Sequence, residues 1–230
     1  MRPTTHVAAS NADLAIPKGA ILRALEDVIP ELGGVLLDVG AGDQPYRDLI
    51  SSSSDKVRQY VAIDLSESMY STPDVSWDGR SMPLADGSID CALATEVLEH
   101  CPDPGAVLRE VFRVLKPGGL FFLTVPFLWP LHDVPWDEYR YTPFSMKRHL
   151  LDAGFESVQL KALGGWDASL AQMIGLWVRR RPLTNRKRHL ATLMALPVMR
   201  MLIRRDDSPA EFHESLMITG LSGTARKPGS

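Results

Sequence analysis

Short, nearly unbroken apolar runs alternate along this chain with segments whose apolar residues recur every three or four positions. Val35 to Val39, Tyr60 to Ile63, Ile89 to Ala94 and Leu120 to Val125 are runs of the first kind. The first of them is continuous enough to predict a strand covered on both faces, as in a parallel sheet. Between them, Ile21, Leu25, Val28 and Ile29 predict a helix from Pro17, which suits a first helical turn. Val107, Leu108, Val111, Phe112 and Leu115 predict another helix, with Asp103 as N-cap and Pro104 in the first helical position. Pro117-Gly118-Gly119 ends that helix and turns the chain into the strand at Leu120. A short helix from Tyr46, a polar loop at Ser51 to Asp55, a helix opened by Thr142-Pro143 and ended by Gly154, and a strand from Phe155 to Leu160 complete the alternation. Strand, helix, strand, helix in turn predicts an α/β fold with a doubly wound, mostly parallel sheet.

The two ends of the chain follow a different pattern. Residues 1–16 are polar and aperiodic, which predicts a loose tail or flap. The last third changes composition: from Arg179 to Arg205 there are nine Lys or Arg residues and no Asp or Glu, with the apolar stretch Leu190 to Ile203 among them. Residues 167–205 read as helical, with Pro197 expected to break any long helix. Leu216 to Ala225 reads as a final strand, and 226–230 as a tail. The expected organisation is one domain over 17–225 with a helical insertion at 167–205.

The most telling chemistry sits after the first strand, in Asp38-Val39-Gly40-Ala41-Gly42-Asp43, with a second acid, Asp64, ending the neighbouring apolar run. Small residues at a strand end let the backbone approach a ligand, and an acid on the adjacent strand can accept both hydroxyls of a ribose. Dinucleotides and S-adenosylmethionine both use this geometry. The dinucleotide fingerprint requires a third glycine, where this chain has Pro45, and Asp43 would set negative charge against a pyrophosphate. A cofactor without phosphate fits better.

Five motifs then follow in order: Asp38-x-Gly40-x-Gly42, Asp64, Met82-Pro83-Leu84-Ala85-Asp86-Gly87-Ser88-Ile89-Asp90, Glu96-Val97-Leu98-Glu99-His100, and Arg113-Val114-Leu115-Lys116-Pro117-Gly118-Gly119. With these, residues 17–160 resemble class I S-adenosylmethionine-dependent methyltransferases of the type 11 kind. The resemblance implies a Rossmann-like sheet of seven strands with the last antiparallel, the 167–205 insertion on the substrate side, and S-adenosylhomocysteine as product. It also implies a cofactor site of Asp38, Gly40, Ala41, Gly42, Asp64, Leu65, Asp78, Gly79, Thr95 and Glu96. In that site Asp38 would hold glycine-loop N–H groups and the cofactor's amino group, and Asp78 would bond the adenine amino group. Each residue has a plainer alternative, as a strand-end acid, a turn glycine or a surface carboxylate. The family's Asn-Pro-Pro-Tyr motif for amino methylation is absent, and Thr95-Glu96-Val97-Leu98 stands near its place.

The segment after the fifth strand, from Pro126 to Thr142, is dense in aromatic and titratable residues and lies where ligands bind in open α/β sheets. His132 is the candidate general base because an imidazole titrates near working pH, with Asp133 beside it. Trp136, Tyr139 and Arg140 are the expected acceptor contacts. The His-x-x-Pro-x-Asp-x-x-Arg-Tyr-Thr run is similar to one in a subset of these enzymes, where it can instead be architectural, with Arg140 paired to an acid and Tyr141 in the core. His132, Asp133, Asp137 and Glu138 offer donors for a divalent ion, but one short segment rarely completes a site, and no metal is expected.

Composition narrows the class further. With 230 residues, 45% of them hydrophobic, and a formal net charge of -3, the chain can bury a full core and has no general attraction for nucleic acid. Cys91 and Cys101 are too few for a disulfide framework and read as reduced and structural. No signal-peptide pattern or run of about 20 apolar residues stands out, so the expected compartment is the cytoplasm. The expected acceptor is a small molecule, saccharide or natural product methylated on oxygen. The alternatives are a lipid-linked or membrane-proximal acceptor, or a non-catalytic cofactor-binding protein. The basic segment suits a lid, a homodimer surface or peripheral membrane contact.

Overall fold

The computed structural model describes residues 7–66, 70 and 72–229. The chain divides into two compact units, one of residues 26–126, 130–160 and 222–230, the other of 1–25, 127–129 and 161–221.

The first unit is organised by the sheet. Its strands, in chain order, are β1 (Gly34–Val39), β2 (Val57–Leu65), β3 (Val75–Trp77), β4 (Ile89–Thr95), β5 (Leu115–Pro126), β6 (Glu156–Leu163) and β7 (Gly220–Arg226), and they lie in the order β3-β2-β1-β4-β5-β7-β6. β1 pairs in parallel with β2 and β4, β2 with β3, and β4 with β5. β7 runs antiparallel: Lys227 N–H donates to Gly119 O and Gly118 N–H to Lys227 O, both at 3.0 Å. The strand order reverses between β1 and β4, which opens a crevice at their carboxyl ends. Registers of Asp38 opposite Ala62 on β2 and opposite Leu93 on β4 bring the chemistry-bearing strand ends level.

Local sequence accounts for the covering helices α2 (Arg47–Ser53), α3 (Pro104–Val114) and α4 (Pro143–Asp152). Asp103 caps α3 by accepting the Ala106 N–H at 2.9 Å, and Val107, Leu108, Val111 and Val114 are buried along one face. Burial stabilises each such side chain by about 1.5–3 kcal/mol. Thr142 and Ser145 form a reciprocal capping box at the start of α4. β2 begins earlier than its apolar run because Arg58 and Gln59 are exposed there, so apolar character marks only its inner half. The expected C-terminal tail is partly structured: Arg226 ends β7, and Lys227 Nζ donates to the carbonyls of Phe112 and Leu115 at 2.8 and 2.7 Å.

The second unit holds α5 (Trp166–Arg180), α6 (Asn185–Arg205) and most of α1 (Ala15–Val28). Its core joins Val7, Ala12, Ala15 and Ile16 to Ala168, Ala171, Met199 and Leu202. Of the expected loose tail at 1–16, residues 1–6 lie outside the described residues. Val7, by contrast, is buried, and Asp13 is tied to Arg180 Nε at 2.7 Å. Small apolar residues at irregular spacing pack there without leaving a periodic trace. Pro197 does not break α6, which continues to Arg205. The proline removes one backbone bond on an exposed stretch, where water can satisfy the orphaned carbonyl. Among the described residues, no helix is long and apolar enough to cross a membrane.

Candidate active site

The loop after β1 is shaped by two glycines. Gly40 and Gly42 have φ of +65° and +51°, and a Cβ at Gly40 would lie 2.6 Å from a methyl of Val97. Only glycine satisfies both the dihedral and the close approach. The N–H groups of Gly40 and Ala41 donate to Ile63 O at 2.9 and 3.2 Å, so they are not held by Asp38 as the sequence suggested. The parallel register with β2 simply continues one step past the end of β1.

Asp38 has another partner. Its Oδ2 accepts a short hydrogen bond from the Tyr60 hydroxyl, and its side chain is only 2% exposed. Burial pushes the Asp38 carboxyl up to about 7, with the Tyr60 bond opposing the shift. Asp64, at the end of β2, accepts Gly42 N–H on Oδ2 at 2.8 Å and Leu65 N–H on Oδ1 at 2.7 Å. Each oxygen of an ionised carboxylate has a second acceptor direction, so this arrangement still suits a pair of hydroxyls. These residues fit S-adenosylmethionine: a glycine cradle with no room for a side chain, and two strand-end carboxylates facing a cofactor that carries positive charge and a ribose.

Residues after β4 approach the glycine loop, with Val97 against Gly40. Glu96 sits at φ +56°, unusual for a side-chain-bearing residue, with its N–H on Thr124 O and its Oε1 accepting from the Thr124 hydroxyl at 2.9 Å. Burial raises its carboxyl to about 7. The Tyr46 phenol is pushed up to about 12 by burial and then by Glu96 and Asp38, which places all three groups in one electrostatic neighbourhood. Asp78 lies on the exposed surface, its Oδ1 taking the N–H groups of Arg80 and Ser81, and Gly79 beside it has φ +78°. Leu65 is half exposed and Thr95 partly buried.

The segment beyond Pro130 is stitched onto the turn that follows β4. Glu138 and Tyr139 N–H groups donate to Glu99 O, the Tyr139 hydroxyl donates to Pro102 O, and the Tyr141 hydroxyl donates to Leu98 O. Within it, His132 Nδ1 lies 3.2 Å from Asp137 Oδ2. Arg140 grips the same carboxylate two-pronged, at 2.6 and 2.8 Å, and also donates to Tyr139 O. That pairing holds the Asp137 carboxyl well below the usual range. Arg140 is therefore a strut for Asp137, and Tyr141, 2% exposed, is core. Asp133 is exposed at φ +46° in a turn whose carbonyl accepts Trp136 N–H, and Trp136 is 61% exposed.

Sequence reasoning assigned no role to Tyr60, Thr124, Glu99 or His100. The last two stand in a motif it singled out, but their partner, His132, is 32 residues away in the chain.

This geometry can be set beside known proteins. A family model described as a methyltransferase domain matches residues 37–123, which include the glycine loop, Asp64 and the turn at Glu96. Over those residues the chain is similar to methyltransferase domains. Among curated relatives of this chain, an uncharacterised methyltransferase of Mycobacterium sp. (strain KMS) is 29% identical, with 78% of each chain covered. One from Mycobacterium leprae (strain TN) is 28% identical over 76% of this chain and 70% of its own. The fold is also that of solved structures. The [4+2]-cyclase SpnF superposes with a TM-score of 0.57 at 20% identity, covering 93% of this chain and 83% of its own. Haemonchus contortus phosphoethanolamine N-methyltransferase 2, in complex with S-adenosyl-L-methionine, gives 0.57 at 15% identity, covering 94% and 54%. A cyclase on the same fold is a reminder that the fold alone does not name the reaction.

Proposed function

We propose that this methyltransferase transfers the methyl group of S-adenosylmethionine to a hydroxyl oxygen of a small-molecule, saccharide or natural-product acceptor, by in-line displacement that leaves S-adenosylhomocysteine. The observation that carries this reading is the His132–Asp137 pair, 3.2 Å apart, in the segment beyond β5.

When bound, the cofactor supplies a methyl carbon made electrophilic by its sulfonium. Asp64 would accept the ribose hydroxyls, Asp38 would face the cofactor's amino group, and Gly40, Ala41 and Gly42 would let the backbone approach. Asp78 with Gly79, Leu65, Thr95 and Glu96 would line the remainder. Asp137 accepts the His132 backbone N–H at 3.1 Å and its carboxylate lies 3.2 Å from the ring's Nδ1, so Nε2 would take the acceptor's proton as the new carbon–oxygen bond forms and the nearby carboxylate would stabilise the resulting imidazolium. Trp136 and Tyr139 offer aromatic faces to a saccharide ring, and Asp133 adds a carboxylate at the rim. Arg140 acts through Asp137, as a positioning residue. Positioning supplies much of the rate once the acceptor oxygen is held near the methyl carbon.

The test is methyl transfer from labelled cofactor to a panel of hydroxylated and amine acceptors. Labelled product from hydroxylated acceptors that depends on His132 supports the reading. Transfer to amines alone, or no cofactor binding by folded protein, overturns it.

A second reading concerns where the acceptor resides. On α5 the exposed residues Trp166, Leu170, Met173 and Trp177 form a stripe, as do Leu190, Leu193, Met194, Val198 and Met201 on α6. With the cations of 179–205, that pattern favours contact with an anionic lipid surface and hence a lipid-linked acceptor.

A further inference from the structure

The turn after β4 meets the segment beyond β5 in a cluster that sequence did not foresee. One ligand atom from each of Glu99, His100 and His132 lies within 4.8 Å of the other two. Glu99 has no exposed surface, and neither of its carboxylate oxygens has a hydrogen-bond partner. A buried carboxyl in that condition is costly, and native structures rarely keep one without a reason. The imidazole of His100 approaches it at 3.9 Å through Nε2, beyond hydrogen-bond range.

His100 is oriented from behind, and a carboxylate stands beside His132. His100 Nδ1 lies 3.2 Å from Trp136 O, and His132 Nδ1 lies 3.2 Å from the Asp137 carboxylate. The rings meet edge to face, with centroids 4.7 Å apart. At His100 the ring nitrogen turned toward the carbonyl takes the proton and directs the lone pair of the other nitrogen to a ligand, the arrangement usual behind metal-bound histidines.

We propose that Glu99, His100 and His132 bind one divalent transition-metal ion. Two imidazoles and a carboxylate suit zinc, cobalt, iron or manganese in preference to magnesium or calcium, which take mainly oxygen. Ligand atoms about 2.1 Å from a tetrahedral ion stand about 3.4 Å apart, so separations of up to 4.8 Å need close by at most about 1.4 Å. The ion would leave coordination positions for water or for an oxygen of the acceptor. This inference rests on the acceptor side of the site proposed above, not on the acceptor's identity. In the metal-loaded protein, coordination would lower the acceptor hydroxyl's pKa and take over the task assigned to the imidazole of His132.

The experiment is titration of the full-length, chelator-stripped protein with Co²⁺ and with Zn²⁺, in the absence of cofactor and acceptor. One equivalent of Co²⁺ should bind, with visible absorption and with paramagnetic shifts in the imidazole NMR signals of two of the six histidines. Glu99→Gln and His132→Ala should each weaken binding at least 100-fold, whereas His189→Gln, exposed on α6, should bind as the unaltered chain does. Folding of the variants is checked by circular dichroism. No stoichiometric Co²⁺, or no effect on two histidines in the unaltered protein, overturns the site whatever the variants do. Methyl transfer is read separately: transfer without metal binding removes the metal site and leaves the imidazole base, and metal binding without transfer does the reverse.

Discussion

His132 and Asp137 stand with Nδ1 and Oδ2 3.2 Å apart, and the carboxylate that orients the imidazole is itself locked by Arg140 at 2.6 Å. In the proposed mechanism Arg140 would brace Asp137, and Asp137 would stand behind His132 as proton acceptor, roles that are separable by mutation. His132→Ala should lower kcat by about 10²–10⁴-fold while changing cofactor affinity less than about twofold. Steady-state kinetics beside calorimetric cofactor titration checks this, and equal turnover would remove His132 from the base role.

Asp137→Asn should act on stability as well as on rate. It leaves Arg140, one quarter exposed, without its carboxylate, at a cost of about 2 kcal/mol, less than for a fully buried pair. The depressed Asp137 pKa gives stability that is present above the ordinary carboxylate range and lost as pH falls through the native value. Chemical denaturation at pH 7, 4 and 2 should therefore show the full gap between wild type and variant at pH 7, with the gap shrinking progressively only as pH falls below 4.

Gly40→Ala should lower both thermal stability and cofactor affinity, because the added Cβ meets Val97 and the residue must keep φ at +65°. The expected cost is about 1–3 kcal/mol. Asp64→Ala is the cleaner probe of the cofactor site. It should lower the melting temperature modestly, because the N–H groups of Gly42 and Leu65 lose their acceptor, and weaken S-adenosylmethionine binding about 10-fold or more, as calorimetry would read.

Asp38 makes the protein's stability depend on pH in the opposite sense to Asp137. Its carboxyl titrates near 7 in the fold and near 4 when unfolded, so between those values the native state holds a proton that the unfolded chain releases. That contribution falls by up to about 1.4 kcal/mol per pH unit as pH rises through the window. Asp38→Asn abolishes the slope and should gain on wild type from pH 4 to pH 7, while losing affinity for the cationic cofactor. Parallel curves for the two proteins would refute the assignment.

The exposed stripes of α5 and α6 predict sedimentation with phosphatidylglycerol vesicles but not with phosphatidylcholine vesicles, reduced by salt and by replacing Arg200 and Arg204 with Glu. Indifference to lipid charge would end the lipid-surface reading.

Much of the architecture is legible in the sequence. β1, β4 and β5 are apolar runs because both faces of those strands are covered, and α3 announces itself through Asp103, Pro104 and a single buried face. Where the pattern misled, the cause was local. Val7 and Ala12 are buried at irregular spacing, and Pro197 lies on an exposed stretch of α6 where water can take up the lost backbone bond.

The sequence by itself determined the alternation of strands and helices, the glycine loop and the two strand-end acids, because these are written in neighbouring residues and short periods. Only the tertiary structure decided that Tyr60 serves Asp38, that Glu99 is buried without a partner, and that His100 meets His132. Those relationships arise where parallel strands, joined through helices, bring distant strand ends level. Their energetics come from desolvation, which no local pattern of residues encodes.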